Sequence, residues 1–155
     1  MQQVKEFTTN GMPLRDIKLP SELVNPHHSV LLTSGQLLVC HGFESDAVNR
    51  LCLVDVVNGS VMQSMCSVSS TGPPAAADKL LQPMRIVVDE TRAIGFIADF
   101  KNDRIVVVDL VSLSSISVVK DVGLRPCSMF IDHDRGKLYV GSWETGHIAV
   151  FQIDP

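Results

Sequence analysis

The feature that most constrains this chain is a segment that repeats itself after 43 residues. One copy reads Pro83-Met-Arg-Ile-Val-Val-Asp89, a short turn, Ala93-Ile-Gly-Phe-Ile-Ala-Asp99, a polar loop, then Arg104-Ile-Val-Val-Val-Asp109. The next reads Pro126-Cys-Ser-Met-Phe-Ile-Asp132, a turn, Lys137-Leu-Tyr-Val-Gly-Ser142, a loop, then His147-Ile-Ala-Val-Phe-Gln152. Pro83 and Pro126 stand 43 residues apart, as do Asp89 and Asp132. A period of that length built from short apolar strands corresponds to one propeller blade per repeat.

Several strands carry no polar alternation. Ile105-Val-Val-Val108 and Ile86-Val-Val88 are apolar on both sides. A sheet with one wet face alternates, whereas continuous Val and Ile imply burial of both faces. The segments between strands are too short for crossover helices, which excludes a parallel α/β sheet. The expected fold is therefore all-β, with antiparallel four-stranded blades of a β-propeller, about three of them, in an incomplete ring.

Residues 1–20 read as two outer strands, Val4 to Thr8 and Leu14 to Leu19, joined at Asn10-Gly11. A degenerate copy of the repeat occupies 26–66, with strands at His28 to Thr33, Gln36 to His41, Leu51 to Val56 and Ser60 to Met65. Pro26 precedes Pro83 by 57 residues rather than 43. The excess falls in a loop insertion at 67–82, where Ala75 to Gln82 is expected to carry one helical turn after the prolines. A full blade follows at 83–122, and 126–155 supplies the inner strands of a final one. Closed propellers use roughly four to eight blades. Each Val, Leu or Ile left bare at the ends forgoes roughly 1.5–3 kcal/mol of burial. The chain is accordingly expected to need further blades, from a longer chain or from a homo-oligomer.

Charge and cysteine content bound the function. A net charge of −4 argues against wholesale phosphate binding. No apolar run is long enough to span a bilayer, and the N-terminal residues resemble no secretory leader. Cys40, Cys52, Cys66 and Cys127 lack paired spacing and read as free thiols of a reducing compartment, which places the chain in the cytoplasm.

At Pro83 to Asp89, Ala98-Asp99 and Asn102-Asp103-Arg104-Ile105 the chain resembles the NHL-repeat family. Pro126 to Asp132 and Lys137 to Val140 fit in part, since Gly141-Ser142 replaces Ala-Asp and His147 replaces the arginine. The resemblance implies a non-catalytic propeller that recognises protein or RNA. In tripartite-motif proteins such a propeller selects targets for a separate RING ubiquitin ligase. This chain carries no RING-like zinc pattern, so ligase activity would lie outside it.

The residue pattern yields no catalytic motif, metal set or cofactor site. Asp132-His-Asp-Arg-Gly136 starts like a calcium loop, but Trp143 stands where the closing glutamate belongs, and a polar hairpin turn is expected instead. Asp89 and Asp132 are expected to accept backbone N–H bonds at their strand ends. Asn58-Gly59-Ser60 matches a glycosylation acceptor and reads as a hairpin turn. The competing reading is a propeller hydrolase or lyase whose axial histidines hold a metal, with His28 and His41 the pair to converge. The favoured binding surface is one rim, carrying His27, His28, Arg85 and Arg125 on the links into inner strands. The loops between second and third strands add Phe100, Lys101, Asn102, Arg104, Trp143, Glu144 and His147.

Overall fold

The computed structural model describes residues 2–42, 49–66, 78–120, 122–142 and 144–153. Thirteen strands among these form four antiparallel sheets. A hairpin, β1 (Gln3–Phe7) and β2 (Pro13–Lys18), comes first. The first blade takes β3 (Pro26–Leu31), β4 (Gln36–His41), β5 (Arg50–Asp55) and β6 (Val61–Met65). The second takes β7 (Pro83–Asp89), β8 (Ile94–Asp99), β9 (Arg104–Asp109) and β10 (Ser114–Val119). The third has β11 (Ser128–Asp132), β12 (Lys137–Gly141) and β13 (Ile148–Gln152). Each sheet runs in chain order, and β7 lies against both β3 and β11, so these three are the inner strands.

The missing alternation has the cause expected from the sequence. In the middle blade Ile86, Ile97, Val106 and Val108 point into a core shared with Leu38, Cys40, Leu51 and Leu53 of the first blade. Their neighbours Phe96, Ala98 and Ile105 point the other way, onto Met129, Ile131, Leu138 and Val140 of the third. One strand thus feeds two cores with successive residues. A third core packs the hairpin's Val4 and Leu19 over Leu37, Val39, Cys52 and Val54.

Repeated backbone devices punctuate the blades. Asn25, Gln82 and Arg125, each just before the proline at 26, 83 or 126, adopt positive φ of 51°, 56° and 43°. Four of the turns at the other end follow one plan: an aspartate, three residues, then a left-handed residue. Asp55/Gly59, Asp89/Ala93, Asp109/Leu113 and Asp132/Gly136 all obey it. The carboxylate accepts turn amides in each, as Asp89 does from Thr91 and Arg92 and Asp109 from Val111 and Ser112. Residues 132–136 are therefore a hairpin turn, and Asn58-Gly59 closes another. Most of the 67–82 insertion, including the start of its expected helical turn, lies outside the described residues. Asp78 has 3₁₀ geometry, and residues 79–82 form a link into β7 that the Asp99, Asn102 and Arg104 side chains hold.

Candidate functional site

The rim emerges where the links into inner strands meet the loops between second and third strands. Gly42 N–H donates to the Val24 carbonyl at 2.8 Å, and Lys101 N–H to that of Leu81 at 3.2 Å. Side chains clasp adjacent blades at the same level. Asn49, just before β5, accepts from the Gln82 amide at 3.0 Å. Asp103, just before β9, accepts from the Leu124 and Arg125 amides, each at 3.1 Å. The corresponding residue before His147 is Gly146, which has no side chain to clasp with.

Arg104 and Phe100 are not part of the exposed rim, contrary to the expectation from their polar setting. Arg104 is 5 % exposed and Phe100 3 %. A 3₁₀ turn over Phe100–Asn102 tucks the ring inward. Arg104 Nε donates to Asp99 Oδ2 at 2.6 Å, and its terminal nitrogen donates to the Lys79 carbonyl at 2.9 Å. Asp99 also accepts from Leu81 N–H at 2.7 Å, and from Asn102, which reaches the Lys79 carbonyl as well. The motif that carries the family resemblance is therefore an anchor for the link entering the second blade. Burial pushes the Asp99 carboxyl above the usual carboxylate range, against the pull of those hydrogen bonds and of Arg104.

The other rim residues fall into two groups. Arg125 and Glu144 form an exposed ion pair at 3.2 Å on the third blade, and His147 is exposed at the end of the same loop. Lys101 Nζ lies 5.7 Å from the Phe100 ring centre, half in solvent. Near the axis, Arg85 reaches from β7 to the Met129 carbonyl on β11 at 3.1 Å. His28 is half-buried on β3; burial first, and the Arg85 charge second, lower its pKa. Trp143 lies outside the described residues.

His28 and His41 do not converge. His28 pairs across the ladder with Cys40, so it shares the face of the Cys40 side chain, whereas His41 points to the opposite face. There His41 Nε2 lies 3.3 Å from Cys52 Sγ, and burial lowers its pKa. Burial likewise pushes the Cys52 thiol up to about 11. Cys40, Cys52, Cys66 and Cys127 are all unbridged. Among the described residues no group of three or more His, Cys, Asp or Glu side chains could hold a metal ion.

The opposite end holds contacts that the sequence pattern did not reveal. Thr33 of the first blade donates its amide and hydroxyl to Glu90 of the second, the hydroxyl at 2.6 Å. Asp89 of the second faces His133 of the third at 3.8 Å and Arg92 at 3.6 Å. The only sequence signal was the equivalence of Asp89 and Asp132; nothing local pointed across blades.

Among solved structures, hydrazine synthase of Kuenenia stuttgartiensis superposes with a TM-score of 0.64 at 20 % identity, over 86 % of this chain and 34 % of that one. A protein from Lactobacillus plantarum gives 0.57 at 14 % identity, over 97 % of this chain and 50 % of that one. This chain is a partial β-propeller. A protein of unknown function from Bacteroides caccae gives 0.51 at 14 % identity, over 97 % of this chain and 71 % of that one. At such identities the likeness bears on fold alone. The chain spans a third to a half of the length of the first two. No protein-family model and no curated protein matches it. Among the described residues no helix is long and apolar enough to cross a membrane.

Proposed function

We propose that the chain is an NHL-like propeller segment whose rim is a non-catalytic platform for a polypeptide partner, in the cytoplasm, with target selection in a tripartite-motif-type ligase as its setting. The observation that carries this reading is the mixed charge of the rim: alongside the Asn49 and Asp103 clasps, Arg125, Glu144 and His147 stand in solvent and Lys101 is half-exposed. That rim offers both signs of charge, which suits the mixed polar surface of a protein better than a run of phosphates.

Selection from a displayed random-peptide library tests it. Bound peptides should lose affinity at least tenfold with Glu144→Arg and with Lys101→Glu, while Val57→Ser at the other end changes nothing. Single-stranded RNA binding instead, with affinity falling steeply in salt and sensitive to Arg125→Ala, would make the platform one for RNA. Binding of neither to the rim would overturn the reading.

A further inference from the structure

The turn between β3 and β4 departs from the plan that four other turns share. Leu32 stands six residues after Pro26, as Asp89 stands six after Pro83, so the first blade puts an apolar side chain where the second puts its carboxylate. The left-handed residue here, Gly35, comes three residues after Leu32, whereas Ala93 comes four after Asp89.

The consequence lies between the blades. Beside this turn a crevice of about 480 Å³ opens between the first and second blades. Leu32 and Leu53, both nearly removed from solvent, line its depth together with Leu110 of the second blade, at the fringe of the core the two blades share. Met62 of the first blade and Val111 of the second continue that lining to the surface, where they are 51 % and 74 % exposed. At the corresponding place between the second and third blades the side chains are charged instead, and Asp89 meets Arg92 and His133.

Among the described residues that line the first crevice, Glu90 alone carries a formal charge. It accepts from the Thr33 amide at 3.0 Å and the Thr33 hydroxyl at 2.6 Å. These neutral donors fix the carboxylate at the mouth and leave its charge in place. An apolar recess with one fixed anion at its edge complements an aliphatic group carried next to a cation.

We propose that this crevice is a docking site for a polypeptide segment in which a bulky aliphatic residue stands beside an arginine or lysine. The aliphatic side chain enters over Leu32, Leu53 and Leu110, and the cation meets Glu90. Met62 and Val111 extend the apolar contact past the recess, further than a small amine reaches. The Ser34 hydroxyl and the exposed Gln63 amide offer donors and acceptors to a main chain laid across it. Both walls are four-stranded blades, so no further strand is needed to form the site. It lies at the opposite end of those blades from the rim, and neither reading depends on the other.

Titration of the whole chain, followed by nuclear magnetic resonance, tests this with three probes: acetyl-leucyl-arginine amide, acetyl-leucyl-glutamate amide and n-pentylguanidinium. Saturable shifts are expected at Leu32, Leu53 and Leu110, with the arginyl peptide binding about tenfold more tightly than the glutamyl one. Glu90→Gln, whose amide oxygen still accepts from Thr33, should abolish that preference. Val111→Arg, which sets a cation at the mouth, should weaken the arginyl peptide by a similar factor. No saturable shift at these leucines, equal affinity for the two peptides, or a preference that survives both variants would overturn the proposal. So would shifts confined to Arg125, Glu144 and Lys101, which would put the peptide on the rim. Tighter binding of n-pentylguanidinium than of the arginyl peptide would make the crevice a small-cation site and overturn the polypeptide occupant.

Discussion

Asp99 Oδ2 lies 2.6 Å from Arg104 Nε, with both side chains removed from solvent. Burial works against the charge on Asp99, so the pair contributes through what it positions: the Asp78 to Leu81 link, bound by both partners. Removing one partner leaves the other charge buried without compensation, at a cost of about 3–5 kcal/mol. Asp99→Ala is expected to destabilise by that amount in urea unfolding. Asp99→Asn, whose amide oxygen still accepts the Leu81 N–H, is expected to cost less. An alanine variant as stable as wild type would show that the link is held some other way.

Asn49 and Asp103 occupy the same place in successive blades and make the same clasp across to the next one. Truncating either to alanine deprives main-chain amides of their acceptor, at about 1–3 kcal/mol. The distinguishing expectation is locality. Hydrogen exchange should quicken at Gln82 in Asn49→Ala, and at Leu124 and Arg125 in Asp103→Ala, with the other link unchanged in each case.

The strands were legible because two-sided burial writes itself as unbroken Val and Ile, and because Asn-Gly and the aspartates mark the turns. All thirteen observed strands coincide with expected ones to within about two residues at each end, the inner strand of the third blade starting later, at Ser128. The rim was read less well. Phe100 and Arg104 sit in a polar, loop-like stretch, and nothing local shows that Arg104 folds inward. Its acceptors include the carbonyl of Lys79, a main-chain group distant in sequence and invisible as chemistry. The inter-blade contacts of Thr33 with Glu90 and Asp89 with His133 escaped for the same reason: they depend on how blades rotate past one another.

Acid should loosen the turns. The Thr91 hydroxyl, chiefly, holds the Asp89 carboxyl below its usual range; Ser112 does so for Asp109 and Arg135 for Asp132. A carboxylate whose pKa is depressed on folding stabilises at pH above its unfolded value, near 4, and loses that contribution as pH falls through the folded value. Asp99 has the opposite sign, since its raised pKa means protonation relieves the fold. With three groups against one, the melting temperature is expected to fall on acidification from pH 5 to pH 2.5. Asp89→Asn should flatten that fall and Asp99→Asn steepen it. A melting temperature constant over this interval would contradict the assignment.

The hairpin's seat on the first blade depends on a glycine. Gly59 has φ of +70°, and a Cβ there would lie 2.5 Å from the Lys18 carbonyl oxygen, a main-chain atom that cannot swing aside. Gly59→Ala therefore combines a disfavoured backbone conformation with a clash between the β5–β6 turn and the end of β2. The combined cost is expected to be about 1–3 kcal/mol. Gly35 provides the control, because it shares the positive φ, at +83°, but has nothing within 4 Å of an added Cβ. Gly35→Ala should show the backbone cost alone. If the two substitutions lower the denaturation midpoint equally, the turn does not press on Lys18 and the hairpin is seated by its apolar side chains alone. If Gly59→Ala costs more and also speeds exchange at the Leu19 amide, which donates to the Gln2 carbonyl, the close approach is what fixes the hairpin against the blade.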